Sequence, residues 1–185
     1  MHNEDTGPQF SHFGMFVTDP ERVAGFYRDT LDFIETDRGD LGDRRIIFLS
    51  RDPREHHQLA FVSGRGESPR EEVVNQISFR LRTLAALKRY VARAVVNGAT
   101  DLRTISHGNA WAAYFRDPEG NRVELFVDSP WYVAQPCREP LDLERPEAET
   151  MAATEAWCRA QPSFRPAADF QADFAAKLAS QLARS

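Results

Sequence analysis

The same order of elements is written into this chain twice. From Phe10 to Val17 the run FSHFGMFV is apolar and aromatic, and Thr18-Asp19-Pro20 then supplies a helix start, with Asp19 as N-cap and Pro20 at the first helical position. The helix, Glu21 to about Leu31, places Val23, Phe26, Tyr27 and Leu31 at the spacing of a buried stripe. Three strand-like runs come next, Asp32 to Thr36, Arg45 to Ser50 and His57 to Ser63, broken at Asp37-Arg38-Gly39-Asp40 and at Arg51-Asp52-Pro53. The polar stretch Gly64 to Glu72 has the character of a connector, and after it the order begins again. Val73 to Leu81 reads as a strand, and Leu84, Leu87, Tyr90, Val91 and Val95 form a helical stripe stopped by Asn97-Gly98. Asp101 to Ile105, Ala110 to Arg116 and Arg122 to Val127 read as strands, the last two joined by the turn Asp117-Pro118-Glu119-Gly120.

Shifting the first half by 64 positions lays His12 on Gln76, Phe13 on Ile77, Met15 on Phe79, Val17 on Leu81 and Phe26 on Tyr90. A duplicated βαβββ module accounts for this most simply. The expected fold is α+β: two tandem modules, about residues 9–63 and 73–128, pairing their sheets around a shared concavity in a domain spanning 1–128. Residues 129–185 change character. Trp131, Tyr132 and four prolines (Pro130, Pro136, Pro140, Pro146) make an extended arm, and Glu147 to Ala160 and Ala167 to Ala183 read as helices. In the last of these Phe170, Phe174, Leu178 and Leu182 recur every four residues, a stripe that packs either on its own domain or on another subunit.

Composition excludes several classes of function. A formal charge of −5 over 185 residues argues against a phosphate-backbone partner, so no nucleic acid is expected. No apolar run reaches the roughly 18 residues needed to span a bilayer, and Met1 to Asp5 lacks the basic and apolar regions of a signal peptide, so a cytoplasmic protein without a membrane partner is expected. Cys137 and Cys158 form neither a disulfide framework nor a zinc spacing and read as free thiols without a catalytic role.

Among otherwise apolar strands, His12, Glu124 and the further histidines at 56, 57 and 107 stand out. Nitrogen and carboxylate donors with open positions on one face suit a non-haem Fe(II) centre, or a Mn, Co, Ni or Zn centre acting as a Lewis acid. His56 is expected on the opposite strand face from His57 and in solvent. The arginines at 44, 45, 51 and 54 are interleaved with Asp43, Asp52 and Glu55, which reads as a solvated face.

The duplication, the opening Ser11-His12-Phe13-Gly14 and the closing run Tyr114-Phe115-Arg116-Asp117-Pro118-Glu119-Gly120-Asn121-Arg122-Val123-Glu124-Leu125-Phe126 together resemble the vicinal oxygen chelate superfamily. This is the superfamily of glyoxalase I, methylmalonyl-CoA epimerase, bleomycin-resistance proteins and type I extradiol dioxygenases. The resemblance covers Phe10 to Asp128 and is nearest to the small extradiol ring-cleaving dioxygenases. It implies a metal held by His12, Gln76 and Glu124, with Gln76 standing where that branch has a second histidine. It also implies His57 as acid-base histidine, His107 as substrate-side histidine and Tyr114 as active-site tyrosine. The activity implied is Fe(II)-dependent cleavage of a catechol-like substrate with O2, in a homodimer or higher oligomer.

Two alternatives stay open. Aligning the last strands puts Gln58 opposite Glu124, so His12, Gln58, Gln76 and Glu124 could serve a redox-neutral glyoxalase-like or epimerase-like enzyme acting on a dicarbonyl-type substrate, although Gln58 cannot be a base. The third reading is a metal-free binding module similar to the bleomycin-resistance proteins. Phe79, Trp111 and Phe126 would suit a flat ligand in any of them.

Overall fold

The computed structural model describes residues 10–66 and 74–182. It divides into two compact units: the first module together with residues 117–120, and the second module together with the C-terminal segment.

In the first unit β1 (Phe13–Val17), α1 (Pro20–Leu31), β2 (Ile34–Leu41), β3 (Arg44–Ser50) and β4 (Leu59–Ser63) form a sheet of order β1-β4-β3-β2 behind one helix. β1 runs parallel to β4 and the other pairs are antiparallel. Asp19 caps α1 as its residue type dictates, its carboxylate accepting from the Glu21 and Arg22 backbone N–H groups. The helix buries Val23, Ala24, Phe26, Tyr27 and Leu31, and the Tyr27 ring lies 5.0 Å from that of Phe61 on β4. A second anion completes the helix start. Glu119 accepts from the backbone N–H groups of Thr18 at 2.7 Å and Asp19 at 2.6 Å, and the Arg22 guanidinium donates to the Pro118 carbonyl.

Several boundaries differ from expectation. Asp32 does not open a strand: it closes α1 in a left-handed conformation at φ 58°. β2 runs straight through Asp37-Arg38-Gly39-Asp40, because β3 pairs with this exposed strand as far as Leu41–Arg44, where Gly42 at φ 66° makes the turn. Ladder hydrogen bonding overrides the turn-like composition there. On β2, Glu35 accepts from Arg28 at 2.8 Å and from two nitrogens of Arg38. The Arg38 hydrogen bonds, then the charges of both arginines, hold its carboxyl below the usual range. A lowered carboxyl pKa contributes stability that is present above the unfolded-state value and lost as pH falls through the folded one. Glu35→Gln should therefore lower Tm at pH 7, by a margin that shrinks as pH falls into the acid range; equal Tm values at pH 7 would show that the pairs contribute nothing.

The second unit repeats the plan with β5 (Ile77–Leu81), α2 (Leu84–Val96), β6 (Thr100–Ser106), β7 (Ala110–Arg116) and β8 (Arg122–Asp128). β5 runs parallel to β8, and the strand order β6-β7-β8-β5 mirrors that of the first sheet. Thr83 caps α2, which buries Leu84, Leu87, Tyr90, Val91 and Ala94. Val95, expected on that stripe, is 52% exposed, since Ala94 occupies the buried position. One face of the sheet, with Ala113, Phe115, Val123 and Leu125, is fully buried, leaving the other face for polar side chains.

The C-terminal segment packs on this second unit. It adds three two-residue strands that have no periodic signature: β9 (Trp131–Tyr132), β10 (Glu139–Pro140) and β11 (Arg165–Pro166). β10 extends the sheet edge beside β6, and β11 pairs with β9. The helices α3 (Glu147–Arg159) and α4 (Ala167–Leu182) stand where the sequence places them. Thr154 on α3 accepts from the Trp111 indole N–H at 2.8 Å, and Phe170 on α4 stacks on Tyr132 at 4.1 Å. Phe174, next on the stripe, is 57% exposed; the side chains of Leu178 and Leu182, and most of the connector, Val73 and Ala183, lie outside what is described. Among the described residues no helix is long and apolar enough to cross a membrane.

Candidate active site

Strand register decides what meets on the open face of the second sheet. Tyr114 on β7 is paired with Glu124 on β8, and Glu124 with Ser78 on β5, so the three side chains form a row across adjacent strands. Gln76 lies two residues before Ser78 and on the same face. The row converges on the Glu124 carboxylate, which is only 8% exposed. Its Oε1 accepts from the Tyr114 hydroxyl at 2.5 Å; its Oε2 accepts from the Gln76 amide at 2.6 Å and from the Ser78 hydroxyl. Burying a carboxylate requires such donors, and here three supply them.

The chain of contacts continues outward. Tyr114 is 2.8 Å from Nε2 of His107, whose Nδ1 lies 2.7 Å from the Cys137 carbonyl oxygen. A carbonyl can only accept, so Nδ1 carries a proton. The Tyr114 hydroxyl has one proton for two neighbours, and the second contact needs a proton held by Nε2 or by Glu124. The His107–Tyr114–Glu124 chain can therefore carry a proton at either end. Burial, and then Glu124, push the Tyr114 phenol well above its ordinary pKa, which keeps it a donor at neutral pH.

This chain borders a cavity of about 420 Å³, lined by Gln76, His107 and Tyr114 and walled on one side by Gln135, Pro136 and Cys137 of the C-terminal arm. That arm is tied to His107. The Gln135 amide donates to the His107 carbonyl at 2.8 Å, and the Cys137 thiol donates to the same oxygen at 2.7 Å. Burial pushes the Cys137 thiol up, and Cys158 to about 11, so both are thiols rather than nucleophilic thiolates at neutral pH.

His12 and His57 lie in the first unit, each one or two residues ahead of its strand rather than on it. Their rings are 4.4 Å apart, and His57 also packs on Phe48 at 4.7 Å. Burial, followed by the neighbouring His12 and His56, holds the His57 pKa below the usual imidazole value. His56 does not turn away onto an opposite strand face. The segment is irregular, and His56 Nδ1 sits 3.0 Å from His57 Nδ1. Gln58 points its carbonyl oxygen at the Arg51 backbone N–H at 2.9 Å, an engagement that occupies the atom the four-ligand alternative needs.

The sequence reading named His107, Tyr114, Glu124 and Gln76, which the structure brings into one connected group. It missed Ser78, whose place two residues beyond Gln76 on the same strand face was a usable signal. Among the described residues no three His, Cys, Asp or Glu side chains are grouped as a ready metal cluster. The donor chemistry nevertheless fits a hard divalent cation through two oxygens, the Glu124 carboxylate and the Gln76 amide carbonyl. Gln76 now directs its N–H at Glu124, and rotation of the amide presents the oxygen instead. Carboxylate and carbonyl donors suit Mn(II) better than metals that prefer imidazole.

Residues 9–125, well over half of the chain, match the model of the Glyoxalase/Bleomycin resistance protein/Dioxygenase superfamily. The chain belongs to that superfamily. Among solved structures it is similar to a glyoxylase/bleomycin resistance protein/dioxygenase domain from Frankia sp. EAN1pec, at 19% identity over 65% of this chain and 92% of that one, with a TM-score of 0.58. It is also similar to the fosfomycin resistance protein FosX from Mesorhizobium loti, at 24% identity over 63% and 89% of the two chains, with a TM-score of 0.50. FosX from Listeria monocytogenes, crystallised with Mn(II) and sulfate, matches at 18% identity over 65% and 93%, also with a TM-score of 0.50. No curated protein matches the chain.

Proposed function

We propose that this chain is a divalent-metal-dependent enzyme that engages its substrate through two neighbouring oxygens and, more finely, an extradiol-type dioxygenase cleaving a catechol-like ring with O2. The observation that carries the reading is the hydrogen-bonded chain His107–Tyr114–Glu124 bordering a cavity large enough for a small molecule. Those are three of the four positions that the extradiol resemblance singles out on this module, Gln76 being the fourth. Glu124 and Gln76 would hold the cation, with His12 as the nitrogen donor on the strength of the sequence resemblance alone. A bound cation supplies Lewis acidity for the substrate oxygens and, if it is iron, a path for electrons to O2. In the overall reaction both atoms of O2 enter the product and a ring carbon–carbon bond beside the diol breaks, with no external reductant.

The residues of the chain then have definite tasks. Tyr114, a phenol at neutral pH, donates to an oxyanion developing on the substrate, and the proton shared along the chain replenishes it. His107 is fixed by its Nδ1 contact with the Cys137 carbonyl, so only Nε2 faces Tyr114. Tyr114→Phe should slow kcat by roughly a hundredfold with little change in bound metal; an unaltered kcat would remove the hydroxyl from the chemistry. His57, neutral at pH 7 through its lowered pKa, is proposed as the base for the substrate hydroxyl. His57→Ala should cost about a hundredfold in turnover, and retained turnover would exclude that role.

A second reading, redox-neutral chemistry on a polarised substrate oxygen, is favoured by the all-oxygen pair Gln76 and Glu124. Elemental analysis of protein purified anaerobically, followed by O2-electrode assays with catechols, separates the two. Iron near one equivalent with O2 uptake and a ring-fission product supports the first. Manganese without O2 uptake on any catechol overturns it in favour of the second.

A further inference from the structure

Four arginines line the cavity, in a chain whose net charge is −5. Arg103 comes from β6, Arg116 and Arg122 from the facing ends of β7 and β8, and Arg138 from the arm that follows the family domain. Arg116 and Arg122 are directly opposite each other in the strand register, an arrangement that like charges disfavour. Among the described residues Asp101 is the one acid lining the cavity. It sits 2.9 Å from Arg103 and 4.0 Å from Arg116, so one carboxylate serves two guanidinium groups. Arg122 donates to a neutral partner, the Asn75 amide oxygen, at 3.0 Å. Positive charge therefore outweighs negative on the cavity wall, and the same wall carries Tyr114 and His107 of the reacting end.

We propose that this cavity selects an organic anion, with the carboxylate or phosphonate of the substrate held by Arg122 and Arg138 while its oxygen-bearing end faces Tyr114. The inference rests on the reading of the Glu124 site given above. Planar guanidinium groups meet such oxyanions with paired N–H donors, which a solvated lysine face would not do. Arg138 makes the selection a property of this chain. The superfamily match ends at residue 125, and the arm that carries Arg138 is tied to the cavity by Gln135 and Cys137. Arg138 is thus a specificity-determining residue delivered from outside the duplicated domain.

The test is calorimetric titration of the full chain with three probes sharing one ring: benzoate, phenylphosphonate and benzyl alcohol. Both anions should bind about tenfold or more tighter than the alcohol, with the gap narrowing in 0.5 M NaCl because salt screens the arginines. Arg138→Gln and Arg122→Gln should each weaken anion binding roughly tenfold and leave the weak binding of the alcohol unchanged, whereas Arg159→Gln on α3 should do nothing. Equal affinity for benzoate and benzyl alcohol, wild-type benzoate affinity in Arg138→Gln, or no anion binding at millimolar concentration would each overturn it. The two readings fail separately. Anion binding that depends on Arg138 without turnover of any catechol sinks ring cleavage alone; equal kcat/KM for catechol and 3,4-dihydroxybenzoate sinks the anion selection alone.

Discussion

Glu124→Ala is expected to lower kcat/KM by about a thousandfold or more and to release the bound metal in the same step. The carboxylate is nearly buried and is an acceptor shared by Tyr114, Gln76 and Ser78. Alanine removes the proposed ligand, and it takes from three donors the carboxylate they share, so Tm should fall as well. Glu124→Gln separates the two effects. It preserves volume and an accepting oxygen while removing the charge, so most of the Tm should return while metal binding stays weak. Metal analysis and thermal melts on both variants check this, and full metal occupancy in Glu124→Ala would mean that Glu124 is not a ligand.

Gly108→Ala is expected to destabilise the protein by about 2–4 kcal/mol, a large effect for one methyl group. Gly108 has φ 75°, where a side chain is strained. A Cβ there would stand 2.6 Å from a methyl of Val133, 2.9 Å from the Trp157 ring and 3.2 Å from the Cys158 sulfur. Two of these belong to α3 and one to the arm, so relief requires moving the C-terminal segment off the loop that carries His107. A drop in Tm should therefore come with impaired catalysis, since the Cys137 carbonyl that orients His107 moves with the arm. An unchanged Tm would contradict the packing of that segment on the second module.

The repeated module was legible because helix and strand periods alternate cleanly and each helix carries its own cap, Asp19 or Thr83. The hairpin that carries Tyr114 and Glu124 was also legible, as two strands joined by the turn at 117–120. The tight turn at 117–120 fixes the hairpin register, and that register makes the two residues cross-strand partners. What failed was local composition set against long-range pairing. The polar run Asp37 to Asp40 is strand because β3 lies beside it, and the doublet His56-His57 leaves the strand pattern because the chain turns there. Arg138 had no signal at all. Its meaning comes from an arm that returns to His107 after some 30 residues, and no periodicity reports a contact of that range.

The tip of the β7–β8 hairpin, residues 117–120, is a member of the first unit although its strands belong to the second. It brings Glu119 to the start of α1, a partner about 100 residues away along the chain. A gene split in the connector would yield a first half lacking the anion at its own helix start, a defect that only co-expression with the second half could mend. During synthesis on the ribosome that anion arrives only after the hairpin has emerged, so the start of α1 gains its second acceptor long after the helix itself has been made.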